Sequence, residues 1–271
     1  MSQPPGRSLK QAVPTALLLV ALMGAFGALG AGGFFILVNI VVLAALFELL
    51  DALVQAGRRP NVPVGLLGGV AMLLAAFYRR PELFGVIIGA TTMVAFLAAL
   101  RPSRGGSPAS DVGWTVLGVA WIGGGGAGAT WILTMEPGGL SLLVAFVLIT
   151  ALDDIGGYFG GTRFGKHKMA PTISPAKSWE GFAAGFLTCL AGGVLFAWLL
   201  TEIDLAQGLG IAAICGLLAP AGDLSESMVK REIGIKDSGR LLPGHGGFLD
   251  RLDAILFCAP VVALYLTLVL A

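Results

Sequence analysis

Asp223, Glu226, Ser227 and Lys230 lie at positions i, i+3, i+4 and i+7. On a helix this spacing puts two carboxylates, a hydroxyl and an ammonium group on one stripe. Asp250 and Asp253 repeat the three-residue interval further along. Such a stripe makes poor contact with lipid and suits a cavity holding a metal and an anion. Hard cations such as magnesium take carboxylate oxygens, keep several waters and commonly share a substrate phosphate. Plainer readings stand beside this one. Glu226 and Lys230 can pair along the helix, and Asp250 and Asp253 suit the positive end of a helix start.

Neighbouring clusters supply donors for an anion. Asp153 and Asp154 close an apolar run. The glycines after them predict a turn, then a basic loop from Gly160 that carries Arg163, Lys166 and Lys168. Beyond it, Ser174, Lys177 and Ser178 stand among prolines that fix the backbone. Ser178 can also cap the helix that follows. A basic loop is equally what a topology signal or an anionic-lipid contact looks like. Near the C-terminal end, Lys236, Arg240 and Arg251 flank a glycine tract, Gly244 to Gly247. Backbone amides there could approach a phosphate. His245, inside the tract, has a structural and a chemical reading with equal claim.

These groups need elements to hold them. Only 12% of the 271 residues are charged and 56% are hydrophobic, with a mean hydropathy of +0.88. A soluble domain carries about 25% charge. An all-α, polytopic integral membrane protein follows, and disorder is excluded. The net charge of +1 gives no basic field for nucleic acid. Apolar runs predict nine spans, roughly 13–30, 34–54, 63–78, 82–100, 112–134, 140–160, 181–200, 207–229 and 252–270. With the N-terminus in the cytoplasm, 15 lysines and arginines face inside and only Arg79 and Arg80 face outside. The C-terminus is then outside. Residues 1–135 read as a scaffold of five spans, and residues 136–271 as a catalytic region of four spans with two cytoplasmic polar loops. Cys189, Cys215 and Cys258 fit no metal or disulfide spacing and read as small core residues. Gly123 to Gly126 reads as a place of close helix approach.

On these residues the chain resembles the phosphatidate cytidylyltransferase (CDP-diglyceride synthetase) family. Ser227, Lys230-Arg231, Lys236-Asp237, Gly239, Pro243, His245-Gly246-Gly247, Asp250-Arg251 and Asp253 meet every fixed position of its signature over 27 residues. Asp154, Tyr158, Gly161, Phe164-Gly165-Lys166 and Ser174-Pro175-x-Lys177-Ser178-x-Glu180-Gly181 resemble its upstream motif. Thr162 stands where a basic residue is common, and Gly157 where alanine is usual.

The resemblance implies a multi-pass enzyme of the inner (plasma) membrane with its site facing the cytoplasm. Its reaction would be CMP transfer from CTP to phosphatidic acid drawn from the membrane lipids. It implies a magnesium site at Asp223 and Asp250, with Asp154, Glu226 and Asp253 as further candidate ligands and room for a second cation. Asp154 and Lys230 join the catalytic set. Lys177, Lys230, Arg231 and Lys236 would bind phosphates. Ser174, Ser178, Ser227, His245, Gly246, Gly247 and Arg251 complete the substrate-binding set. A homodimer is implied as well. The rival class is a transporter for an anionic solute, which also uses half-buried charges. Transporters often show matched halves, and the first 150 residues hold no second copy of the Asp223–Asp253 pattern.

Overall fold

A computed structural model describes residues 21–100, 107–235, 239 and 246–270. After a helical stretch at residues 21–28, the chain turns at Leu29 and Gly30, whose φ is +74°. Eight helices follow: α1 (Gly30–Gln55), α2 (Val62–Phe77), α3 (Glu82–Ala99), α4 (Pro108–Leu133), α5 (Gly139–Phe164), α6 (Trp179–Leu199), α7 (Leu205–Glu232) and α8 (Leu249–Val269). All but α2 are long and apolar enough to cross a membrane, so the chain is a multi-pass membrane protein. At 16 residues, α2 rises about 24 Å, short of a hydrocarbon core of about 30 Å. Most of the first expected span lies outside the described residues.

Capping fixes several helix starts. Asn61 Oδ1 accepts from Val64 N at 3.2 Å to begin α2. Asp204 and Gln207 form a reciprocal capping box at α7. Ser178 Oγ accepts from Gly181 N at 3.2 Å and caps α6, as its position allows.

Two expectations need correction. The glycines after Asp154 do not make a turn: α5 runs unbroken to Phe164. These glycines let α6 approach. A Cβ at Gly156 would strike the Thr188 hydroxyl, and one at Gly160 would strike the Ala184 Cβ. The basic loop is likewise shorter than expected. It folds into an antiparallel hairpin of β1 (Lys168–Ala170) and β2 (Ser174–Ser178), with Lys168 opposite Ser178 and Ala170 opposite Ser174.

Helix α8 packs mainly on α7 and on the second half of α4. The glycine tract in α4 makes this possible. A Cβ at Gly125 would lie 2.8 Å from Leu256 Cα, and one at Gly128 would lie 2.6 Å from Pro260 N. The three cysteines are free and fully buried in the core around α5, α6, α7 and α8. A second core joins Leu46, Leu49 and Leu53 of α1 to Val229 of α7 and Leu249 of α8. The N-terminal helices and the ends of α7 and α8 therefore share one apolar cluster.

Candidate active site

Among the described residues, the polar clusters meet at one end of the helices. Gly222 shows how. A Cβ there would lie 2.8 Å from both the Asp253 carbonyl and the Phe257 Cβ. With only a hydrogen at that position, α7 closes on α8, and Asp223 comes to face Asp253. Carboxylate oxygens of Asp223, Glu226 and Asp253 lie within 4.8 Å of one another. Glu226 and Asp253 are buried. Pro220, one turn before Asp223, lacks an amide hydrogen and so leaves one bond out of the α7 ladder.

Two lysines enter this acidic cluster. Lys230 Nζ bonds Glu226 Oε2 and Asp250 Oδ1, each at 2.8 Å. Both the helix pairing and the convergence on α8 are thus present. Lys177, from β2, reaches Asp223 Oδ2 at 2.5 Å. Ser227 Oγ donates to Asp223 Oδ1 at 3.3 Å. Asp250 Oδ2 accepts from Gly247 N at 2.9 Å, so this amide of the glycine tract holds a carboxylate of its own chain.

A cavity of about 480 Å³ opens beside Asp223. Asp153, Asp154, Lys168, Lys177 and Ser178 line it, with Tyr158 and Phe182 as aromatic walls. Thr162 lines it too, while its hydroxyl donates back to Tyr158 O at 2.8 Å. Arg163 lies instead over the Phe164 ring, 6.0 Å from its centre. Glu180 ties the hairpin to α6 by accepting from Lys166 N at 3.1 Å and His167 N at 3.2 Å. Its other oxygen meets His167 Nδ1 at 2.6 Å.

Other expected residues sit further out. Ser174 begins β2 and is half-buried. Arg231 Nη1 reaches Ile235 O at 3.5 Å on an exposed surface. Arg251 is exposed in the first turn of α8. Gly246 adopts φ +88°, a conformation that favours glycine. Lys236 and His245 lie outside the described residues.

The sequence reading missed Glu48. It is 4% exposed, on α1. Its Oε2 accepts from Leu249 N at 3.0 Å, at the first residue of α8. An ionisable residue inside an apolar span is by itself a signal of function, and Glu48 carried that signal.

The donor set fits a hard cation. Three carboxylate oxygens within 4.8 Å of one another can share one cation, and the Lys177 and Lys230 ammonium groups offset part of their mutual repulsion. They come from two helices held by close glycine contact. Only oxygen ligands are offered, as magnesium prefers.

The profile of the cytidylyltransferase family matches residues 10–269. The chain belongs to the cytidylyltransferase family. Among its relatives in that family, the phosphatidate cytidylyltransferase of Mycobacterium bovis is 36% identical over 253 residues, covering 86% of this chain and 79% of the relative. That of Pseudomonas aeruginosa is 36% identical over 270 residues, 94% of this chain and 96% of the relative. That of Staphylococcus aureus is 31% identical over 261 residues, 94% and 98%. The cytidylyltransferase match spans the N-terminal helices as well as the motif-bearing end.

Proposed function

We propose that the protein transfers CMP from CTP to phosphatidic acid, forming CDP-diacylglycerol and pyrophosphate for phospholipid synthesis. One observation carries the reading. In a member of the cytidylyltransferase family, a cavity of about 480 Å³ with Asp153, Asp154, Lys168 and Lys177 in its wall opens beside Asp223, whose carboxylate clusters with those of Glu226 and Asp253 inside an apolar bundle. A lipid phosphate and a water-soluble nucleotide can meet only at such a boundary.

In the reaction, a phosphatidate oxygen forms a bond to the α-phosphorus of CTP. The bond from that phosphorus to the bridging oxygen breaks, and pyrophosphate leaves with the electron pair. The phosphate monoester is already largely ionised, so no strong base is required. Positioning and charge neutralisation carry most of the work in phosphoryl-type transfer. Magnesium bound among Asp223, Asp250 and the nearby Asp154, Glu226 and Asp253 would supply Lewis-acid neutralisation of the CTP oxygens, with space for a second cation. Lys177 is placed to exchange its bond to Asp223 for a substrate phosphate. Lys230 holds Glu226 and Asp250 in register while its charge faces the same cluster. The family resemblance adds Ser174, Ser227, Arg231, Lys236, His245 and Arg251 as further phosphate or nucleotide contacts. Tyr158 and Phe182 offer rings for the base.

Nine spans, a cytoplasmic N-terminus and an outside C-terminus belong to the same reading. They put the cavity at the cytoplasmic face of the inner membrane, where CTP is found. The family resemblance adds a homodimer. Radiolabelled CTP and phosphatidic acid in detergent, with other lipid phosphates and nucleotides in parallel, test the activity. A lipid-linked CMP product is expected, and its absence with every lipid phosphate overturns the reading. Asp223→Ala and Asp250→Ala are each expected to abolish magnesium-dependent incorporation in folded protein. Near-normal activity in both would remove the metal assignment.

A further inference from the structure

Glu48 stands apart from every motif of the chain, 201 residues before its partner Leu249. It is nonetheless in the wall of the site. A Cβ on Gly247 would lie 2.6 Å from Glu48 Oε2, and one on Gly239 would strike Glu48 Oε1. The glycine backbone on both sides of the 239–247 stretch is thus seated against one carboxylate. That carboxylate also takes the amide of the first residue of α8. Leu249 itself is 1% exposed and packs in the core that contains Leu46, Leu49 and Leu53 of α1.

From this geometry we infer that Glu48 is a positioning residue, through which the N-terminal helices fix the start of α8 and so the placement of Asp250 and Asp253. The inference rests on the activity proposed above. The physical reasons are three. An amide held by a carboxylate forms a charge-assisted bond, stronger than a neutral one. The bond sits at the positive end of α8, where a negative charge is favoured. Gly247 N is shared out in the same few residues, to Asp250 Oδ2. If the glycine stretch slides away from Glu48, the Gly247 bond that orients Asp250 goes with it. A carboxylate in an apolar helix is costly, and this contact offsets that cost. Glycine at 239 and 247 follows from the same contact, because any side chain would collide with the Glu48 carboxylate.

The test uses the full-length protein in detergent with Glu48→Ala and Glu48→Gln. Glutamine keeps an oxygen for Leu249 N–H and loses the charge. Two readouts are taken: turnover of CTP at saturating substrates across a magnesium titration, and amide hydrogen exchange of residues 246–252. The exchange needs neither substrate nor metal. Glu48→Ala is expected to lower kcat on the order of 10²-fold, as a displacement of about 1 Å at reacting groups does. It should also raise the magnesium concentration for half-maximal activity and speed exchange at 246–252, with exchange in α5 and α6 unchanged. Glu48→Gln should fall between wild type and Glu48→Ala in both readouts.

Unchanged exchange at 246–252 in Glu48→Ala would overturn the contact. Faster exchange with wild-type turnover would overturn the positioning role. Loss of folded protein in both variants would replace it with a purely structural one. If the wild type forms no lipid-linked CMP, the activity reading fails by itself, and the exchange data still decide whether Glu48 holds the start of α8.

Discussion

At the scale of residues, the two lysines of the site differ in what they support. Lys230 is 14% exposed and serves Glu226, 3% exposed, and Asp250, 11% exposed. Removing it takes an ammonium contact from each of two buried carboxylates. Lys230→Met is therefore expected to cost about 3–5 kcal/mol of stability along with activity. Thermal unfolding in detergent would show it as a large fall in Tm. Lys177 is 23% exposed and its partner Asp223 is 32% exposed. Lys177→Met should change stability by less than about 1 kcal/mol. Its kcat/KM for CTP should fall roughly 10- to 100-fold, the worth of a bond to a charged phosphate. A Tm loss equal to that of Lys230→Met would contradict this division. The motif residues were legible because residue type and helical spacing state their chemistry directly. Glu48 was marked by its place in an apolar span, but its role was not legible, because Leu249 lies 201 residues away and only tertiary packing joins them.

At the scale of elements, the α7–α8 contact decides whether the carboxylates converge. Gly222 meets backbone and Cβ atoms of α8 with no room for a methyl group. Gly222→Ala is expected to destabilise the fold by about 1–3 kcal/mol through overpacking. It should lower activity further than that loss of folded protein explains, since it pushes Asp223 away from Asp253. Activity per folded molecule, measured against Gly210→Ala, separates the two effects. Gly210 lies on the same helix, where a methyl group would meet the Tyr265 hydroxyl end of a side chain. Long helices were legible because apolar content averages over about 20 residues. The continuation of α5 to Phe164 was not. Gly156, Gly157, Gly160 and Gly161 look like a turn until α6 is placed against them. The hairpin was hidden for a related reason. Its two strands total eight residues, and Glu180 closes it from the next helix.

At the scale of the whole molecule, opposite ends of the bundle are tied by different groups of residues. Toward the end where α7 finishes, Lys177 pairs with Asp223 and Lys230 with Asp250, and Glu48 of α1 accepts from Leu249 N. The other end is braced by Arg79, which bonds Thr134 O at 2.6 Å and lies 4.7 Å from the Trp131 ring centre. Trp131 in turn donates to Thr267 Oγ1 at 3.0 Å. The proposed topology makes this braced end the outer face. An alkaline phosphatase fused after Ala271 should then be active in intact cells, and a green fluorescent protein fused there should stay dark. The reverse pattern would overturn the odd span count or the orientation. Helix α8 is inserted between α4 and α7, seated by Gly125, Gly128 and Gly222. It is also the element that carries Asp250 and Asp253. During synthesis, every helix before α8 leaves the ribosome first. A growing chain thus enters the membrane with Asp154, Asp223 and Glu226 but without Asp250 and Asp253. On the proposed function, such a chain gains the full carboxylate set for CTP only when α8 slides home.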